Sequence, residues 1–259
     1  MMRVIAESSV TAVSASSENP EYPAANLLDE HPKKKWLAAD ASVSSAVLTV
    51  EVSGRTGGLG LVGIVADAVA VSVSDPGGIT WQNVTWQDVD WVAVPPDLDL
   101  EVSLVHGDDF ATMWAVFDQF EATVAITITL YRNAGSAGVL AAGCLRVGAL
   151  DEIPGLQYPI REELVDYSLA RELANGATYV LKRDIVRRFS GSLLVRREDD
   201  FYTFCRDLAR RYGSRPMMWN LVDSKGMEFV VYGRLSAMPV GSHVGRVRST
   251  VEFEILEVL

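Results

Sequence analysis

From Ala122 to Tyr131 the chain reads ATVAITITLY, with Val124, Ile126, Ile128 and Leu130 on one parity and Thr127 and Thr129 on the other. That period of two predicts a half-buried β-strand. The same alternation recurs in Ser45–Val52 through Leu48, Val50 and Val52, in Val65–Ser74 through Val69, Val71 and Val73, and in Arg246–Leu256, where Val251, Phe253 and Ile255 alternate with Glu252 and Glu254. Phe189–Val195, Met217–Val222 and Glu228–Leu235 add further strands, and Met1–Ala15 reads as a short strand or extended arm. One segment has a different period. Phe201, Phe204, Cys205, Leu208 and Tyr212 recur at helical spacing, so a helix is expected over 198–212. Glu198, Asp199 and Asp200 in its first turn and Arg206, Arg210 and Arg211 in its last suit the helix dipole, and Gly213 supplies the stop. The chain is therefore expected to be mainly β, with one amphipathic helix.

Turn signals divide these elements. Asp75-Pro76-Gly77-Gly78 is a turn, and Asn133–Gly138 turns the chain so that Val139–Val147 returns as a closing hairpin on Ala122–Tyr131. Asn175-Gly176, the dipeptide favoured in tight hairpins, predicts paired strands over Asp166–Leu173 and Ala177–Lys182, with a helix over Glu162–Ala174 as the alternative. Asp151–Gly155 is a boundary, giving domains 1–155 and 156–259. Gly58, Gly60 and Gly63 match the G-x-G-x-x-G spacing of a dinucleotide site, which requires a helix after the glycines. Here a strand follows, so the run reads as a glycine-rich break between strands.

The segment Asn19–Asp40, NPEYPAANLLDEHPKKKWLAAD, organises the first domain. Pro20, Pro23 and Pro32 exclude a regular helix or a central strand. Asn26 and Asp29 are placed for local Asx-type turns, and Leu27, Leu28 and Trp36 offer apolar surface to anchor the loop on a sheet. This arrangement of Tyr-Pro, two small residues, Asn-Leu-x-Asp, a gap and Trp, followed by an alternating strand, resembles the opening of discoidin-type domains, which are jelly-roll β-sandwiches. The resemblance covers roughly residues 5–150. Such domains at the front of bacteriophage tail and baseplate proteins, followed by a smaller β-rich domain, are similar to the whole layout. It implies an N-terminal discoidin-like β-sandwich over 1–155 and a tail-protein-like β domain with its helix over 156–259.

Composition, with 49% hydrophobic and 22% charged residues, is ordinary for a globular protein. Charge is more informative. Residues 1–155 hold 7 Lys and Arg against 20 Asp and Glu, whereas residues 156–259 hold 16 against 14. An acidic first half argues against a nucleic-acid partner, because phosphate binding needs Lys and Arg. No apolar run reaches the ~18–20 residues of a membrane span. Met1–Ser17 has no secretion-signal pattern, so synthesis in the cytoplasm is expected, which the phage resemblance implies is that of a bacterial host. Cys144 and Cys205 both lie in apolar patterns and read as reduced, buried residues.

A catalytic constellation is lacking. His31, His106 and His243 are far apart with no metal-like spacing, no serine sits in a G-x-S-x-G elbow, and Asp108-Asp109 and Asp199-Asp200 are adjacent carboxylates whose side chains diverge. No enzyme, cofactor or metal is expected. Trp81, Trp86 and Trp91 lie among amide and carboxylate residues and are the candidate carbohydrate-binding residues, although five-residue spacing puts at least one in the core. Arg187, Arg188, Arg210 and Arg211 are the candidate assembly contacts. The resulting expectation is a structural virion protein of a phage tail tip or baseplate, a ring component like a distal tail protein. Its partners would be itself, as a hexamer, and other tail proteins. The alternative is a module that attaches to cell-surface glycans.

Overall fold

The period-two segments form strands, and small residues decide where strands lie close together. The computed structural model describes residues 1–74, 80–81, 101–106, 111–133, 138–172, 178–196, 207–222, 229–243 and 247–259. In chain order the first strands are β1 (Met2–Ile5), β2 (Val10–Ala15), β3 (Trp36–Leu37), β4 (Ser45–Ile64), β5 (Ala68–Ser74), β6 (Thr80–Trp81), β7 (Glu101–His106), β8 (Ala111–Tyr131), β9 (Ala141–Ala142), β10 (Cys144–Gly148) and β11 (Asp151–Ile153). They are followed by β12 (Leu156–Asp166), β13 (Leu169–Glu172), β14 (Thr178–Leu181), β15 (Ile185–Arg196), β16 (Met217–Asn220), β17 (Val230–Leu235), β18 (Val240–His243) and β19 (Arg248–Glu257). A short helix, α1, spans Ala209–Tyr212, and a 3₁₀ turn spans Ala24–Leu28. The chain is mainly β, as the alternation predicts.

Contacts divide it into two units. The larger comprises Arg3–Glu152 and Met217–Val231; the smaller comprises Met1–Met2, Ile153–Pro216 and Tyr232–Leu259.

In the larger unit β4 and β8 run antiparallel side by side, from Ser45↔Tyr131 to Ile64↔Ala111. Their outer neighbours change along their length. The first part of β4 carries β2, from Val10↔Val52 to Ala15↔Leu48, and its last part carries β10, from Cys144↔Val62 to Gly148↔Gly58. The other edge of β8 takes β7 and then β5. Register shifts between Thr56 and Gly58 and between Leu61 and Ile64 mark the irregular points where long strands bend. The expected hairpin of 139–147 on β8 is not formed. Both edges of β8 are already occupied, so β10 pairs with the open edge of β4 and β9 pairs with β3.

The inward positions form one core. Leu48, Val50, Val52, Leu59, Leu61, Val69, Val71, Ile126, Ile128 and Leu130 are buried, together with Leu27 and Trp36 from the proline-rich loop. Leu28 lies on the opposite side of the 3₁₀ turn and is exposed.

The glycine run is no break: it lies inside β4, and residues 56–64 are buried on both faces. Leu59 and Leu61 point into the core. On the other parity, a Cβ on Gly58 would lie 2.9 Å from Ile5 Cδ1, and one on Gly60 would lie 2.5 Å from Met218 Cγ. Ile5 and Met218 are themselves register partners across the antiparallel pair β1–β16. The glycines therefore admit a second layer against the back of β4.

In the proline-rich loop, Asn26 Nδ2 donates to the Lys35 carbonyl at 3.0 Å. Asp29 Oδ1 accepts the His31 N–H at 3.0 Å, and Asp29 Oδ2 takes Lys34 Nζ at 2.8 Å. The bond from Lys34, then that from the His31 amide, hold the Asp29 carboxyl below its ordinary value. A carboxyl with a lowered folded pKa contributes its stabilisation fully above its unfolded value and loses it as pH falls. Hydrogen-exchange protection of the His31 amide is expected to hold down to about pH 4 and to drop between about pH 4 and about pH 2. Protection unchanged over that range would show that the carboxylate does not hold the turn.

In the smaller unit the sheet runs β12–β15–β19, with β17 and β18 both on the far edge of β19. Phe189, Leu193, Val251, Phe253 and Ile255 are buried, while Glu252 is exposed, as the alternation predicts. Gly191 gives Phe253 room: a Cβ there would lie 2.9 Å from the ring. Of the helix expected over 198–212, residues 197–206 lie outside the described residues. Its end is as predicted, with Leu208 and Ala209 buried, Arg210 and Arg211 exposed, and Gly213 at φ +56° donating its N–H to the Ala209 carbonyl at 2.8 Å.

Candidate assembly surface

The smaller unit holds a long antiparallel hairpin. β12 pairs with β15 from Leu156↔Leu193 to Asp166↔Ile185, with a register shift between Gln157 and Arg161 near cis-Pro159. Beyond Asp166 the ribbon continues. The Arg183 N–H donates to Ser168 Oγ at 3.0 Å, and β13 then pairs with β14 through Leu169↔Leu181, Ala170↔Val180 and Arg171↔Tyr179. Residues 173–177, with the predicted Asn-Gly turn, lie outside the described residues; the flanking strands pair as the hairpin reading requires.

Large apolar side chains remain in water along this ribbon: Tyr158 is 72% exposed, Leu164 68%, Tyr179 57% and Leu169 53%. Leu181 and Ile185 are exposed as well. Directly opposed residues share a face, and so do residues two apart on one strand. Leu169, Leu181 and Tyr179 therefore lie together on one face of the β13–β14 ribbon. A two-stranded ribbon is marginal in water unless something packs on it. An open groove of 420 Å³, lined by Tyr167, Lys182, Arg183, Asp184, Val186 and Leu259, lies at its root.

Of the four arginines singled out in the sequence, two are engaged within the sheet. Arg187 Nη2 donates to Glu257 Oε1 at 2.7 Å and its Nε to the same oxygen at 3.1 Å, while the Arg187 amide donates to Glu257 Oε2 at 2.9 Å. Arg188 stands between Glu163 and Glu254, each at 3.6 Å. These are cross-strand charge pairs tying β12, β15 and β19. Arg210 and Arg211 are exposed on α1, and Arg211 lies over the Tyr212 ring. Arg187→Met is expected to cost about 1–2 kcal/mol, since it breaks a half-buried charge-assisted pair and leaves Glu257 uncompensated. Thermal melts of the variant check this, and an unchanged melting temperature would assign the pair no role in stability.

Trp81 lies on β6, opposite Val73 in the ladder. Trp86 and Trp91 lie outside the described residues, as do Asp108-Asp109, Asp199-Asp200 and Cys205. Cys144 is buried and its Sγ donates to the Asp29 carbonyl at 3.2 Å. His31 sits in the Asp29 turn, and His243 Nδ1 is 2.8 Å from Ser249 Oγ. Among the described residues no group of three His, Cys, Asp or Glu could hold a metal ion, and no helix is long and apolar enough to cross a membrane.

Charge alone does not point to the apolar ribbon; the sequence shows Tyr158, Leu164, Leu169 and Tyr179 in one segment between two strong strands, but not that they are exposed.

Part of the first half of the chain is similar to a known family. The family described as XRCC1 N terminal domain, of jelly-roll type, matches residues 4–71. A solved structure, reduced XRCC1 bound to the DNA pol beta catalytic domain, aligns with 55% of this chain and 98% of its own at 15% identity and a TM-score of 0.40. No curated protein matches the chain.

Proposed function

We propose that this chain is a structural virion protein of a tailed phage, a ring component of the tail tip or baseplate that works by self-association. The observation that carries the reading is the ribbon formed by β12–β15 and its continuation β13–β14, on which Tyr158, Leu164, Leu169 and Tyr179 are each more than half exposed. Large apolar side chains left exposed on one ribbon suit a protein-binding surface, and a structural subunit needs such a surface permanently available. The layout supports the phage setting, since a discoidin-like domain ahead of a smaller β domain with one helix resembles phage tail proteins. Host-surface attachment would fall to the discoidin-like part.

The test is the mass of the purified chain in solution at low and high salt, followed by negative-stain imaging. A closed ring of about six copies is expected. A monomer at every concentration and salt would overturn the reading.

A further inference from the structure

We infer that the outer edge of β14 pairs with β14 of a second copy, antiparallel and about a two-fold axis at Val180, so that two ribbons become one four-stranded sheet. The inference rests on the self-association reading and names one contact that would carry it.

Edge strands of the smaller unit differ in how they are guarded. β12 carries Pro159, Arg161, Glu162 and Glu163, and β13 carries Arg171 and Glu172, the charges and proline by which natural edges avoid pairing. β18 is uncharged, but Gly241 and Ser242 at its centre give a pairing strand little side chain to hold. β14, which reads Thr178-Tyr179-Val180-Leu181, has no charge, proline or glycine. β13 and β14 form a two-stranded sheet of their own, so among the described residues the outer edge of β14 has no ladder partner. Tyr179 and Val180 are each 57% exposed and Leu181 is 40% exposed. Two strands alone are marginal in water, and further strands on the open edge stabilise them.

Register makes a second copy of β14 the fitting occupant. With Val180 opposite Val180, Tyr179 of each copy opposes Leu181 of the other. Opposed residues share a face, so Tyr179, Leu181 and the neighbouring Leu169 of both copies line one face, and Val180 and Ala170 of both line the other. Lys182 falls opposite Thr178, so no like charges are opposed along the seam. Sliding one copy by two residues either sets Lys182 against Val180 or takes Leu181 off Tyr179. At their exposures Leu169, Tyr179, Val180 and Leu181 leave roughly 400 Å² in water on each copy, about half of what each partner of a standard interface buries. The seam is therefore too small for a lone stable dimer and suits one of two contacts made by each subunit of a ring. Two kinds of isologous contact alternating round a ring close it with dihedral symmetry.

A charge placed at Val180 meets itself across the two-fold axis. Val180→Lys is expected to weaken the seam about tenfold or more and to remove the ring, leaving dimers or monomers, and Val180→Glu to do the same. The decisive measurement is the equimolar mixture, in which Lys opposes Glu and the ring should return at its original mass. Far-UV circular dichroism and melting curves of both variants should match the original protein. If either charge loosens the ribbon, Val180→Cys replaces it: oxidation in air joins the two opposed thiols, and a denaturing gel without reductant shows a linked dimer. Leu169→Cys, on the outer strands of the joined sheet, should give none. If both charged variants lose the ring and their mixture does not restore it, Val180 meets a different patch and the inference falls. If the original protein forms rings that neither variant changes, the inference falls and the self-association reading stands. If the original protein is monomeric throughout, or is held by phosphatidylcholine vesicles instead of by its own copies, both fall.

Discussion

Trp36→Ala is expected to lower the free energy of unfolding by about 3–5 kcal/mol, and Trp36→Phe by less than about 1.5 kcal/mol. Trp36 is fully buried, paired through β3 with Ala142 and packed in the same core as Leu27 and Leu140. Alanine removes most of the side chain from a site closed by sheet on one side and by the proline-rich loop on the other, leaving a cavity that backbone cannot easily fill. Phenylalanine removes less surface, and it also removes a liability. The indole Nε1 is buried with no hydrogen-bond partner among the described residues. An unsatisfied buried donor costs about 1–3 kcal/mol, so its loss offsets much of the smaller ring's lost contact. Urea unfolding of both variants supplies the numbers. Equal losses would mean that the indole N–H is satisfied and that the ring's shape is what the site requires.

The second large effect concerns close approach of backbone. Gly148→Ala is expected to destabilise the larger unit by about 2–3 kcal/mol, and Gly60→Ala by about half as much. A Cβ on Gly148 would collide with the Glu7 carbonyl oxygen, which belongs to the main chain just before Ser9 bonds Val147. A Cβ on Gly60 would meet Met218 Cγ at 2.5 Å and Sδ at 3.0 Å. A thioether side chain can change rotamer, whereas a carbonyl moves only with its strand. The expected ranking follows from what each Cβ meets, and melting curves of the two variants decide it. A larger loss at Gly60 would show that Met218 is locked in place.

These glycines also show where the sequence was legible and where it was not. Alternation identified the strands containing Val124–Leu130 and Val251–Ile255 with the correct inward residues, because a half-buried strand writes its environment into every second position. Between Thr56 and Ile64 both faces are buried, so alternation disappears and glycine stands where packing needs no side chain; the same letters then look like a turn. Partner choice was less visible still. Val139–Val147 was readable as strand, but its pairing with β4 instead of β8 depends on which edges are free, a property of the assembled sheet. At the candidate site, the arginines were visible as charges, while two of the three carboxylates that engage Arg187 and Arg188, Glu257 and Glu254, come from more than sixty positions along the chain. The exposure of Tyr158 and Leu164 could not be read from sequence at all, because an apolar residue on a strand predicts a partner without saying whether that partner belongs to the same molecule.

The short segment Met217–Val231 has a consequence for inheritance. It belongs to the larger unit although it is threaded between two pieces of the smaller one. A ribosome that has passed Glu152 has not yet made the strand that pairs with Arg3–Ile5, so the larger unit finishes folding only after most of the smaller unit has been synthesised. A gene fragment ending near residue 155 would encode an incomplete layer over Gly58 and Gly60. Exchange of either unit between related genes would need matching junctions on both sides of 217–231, and the two units are accordingly expected to travel through evolution as a single cassette.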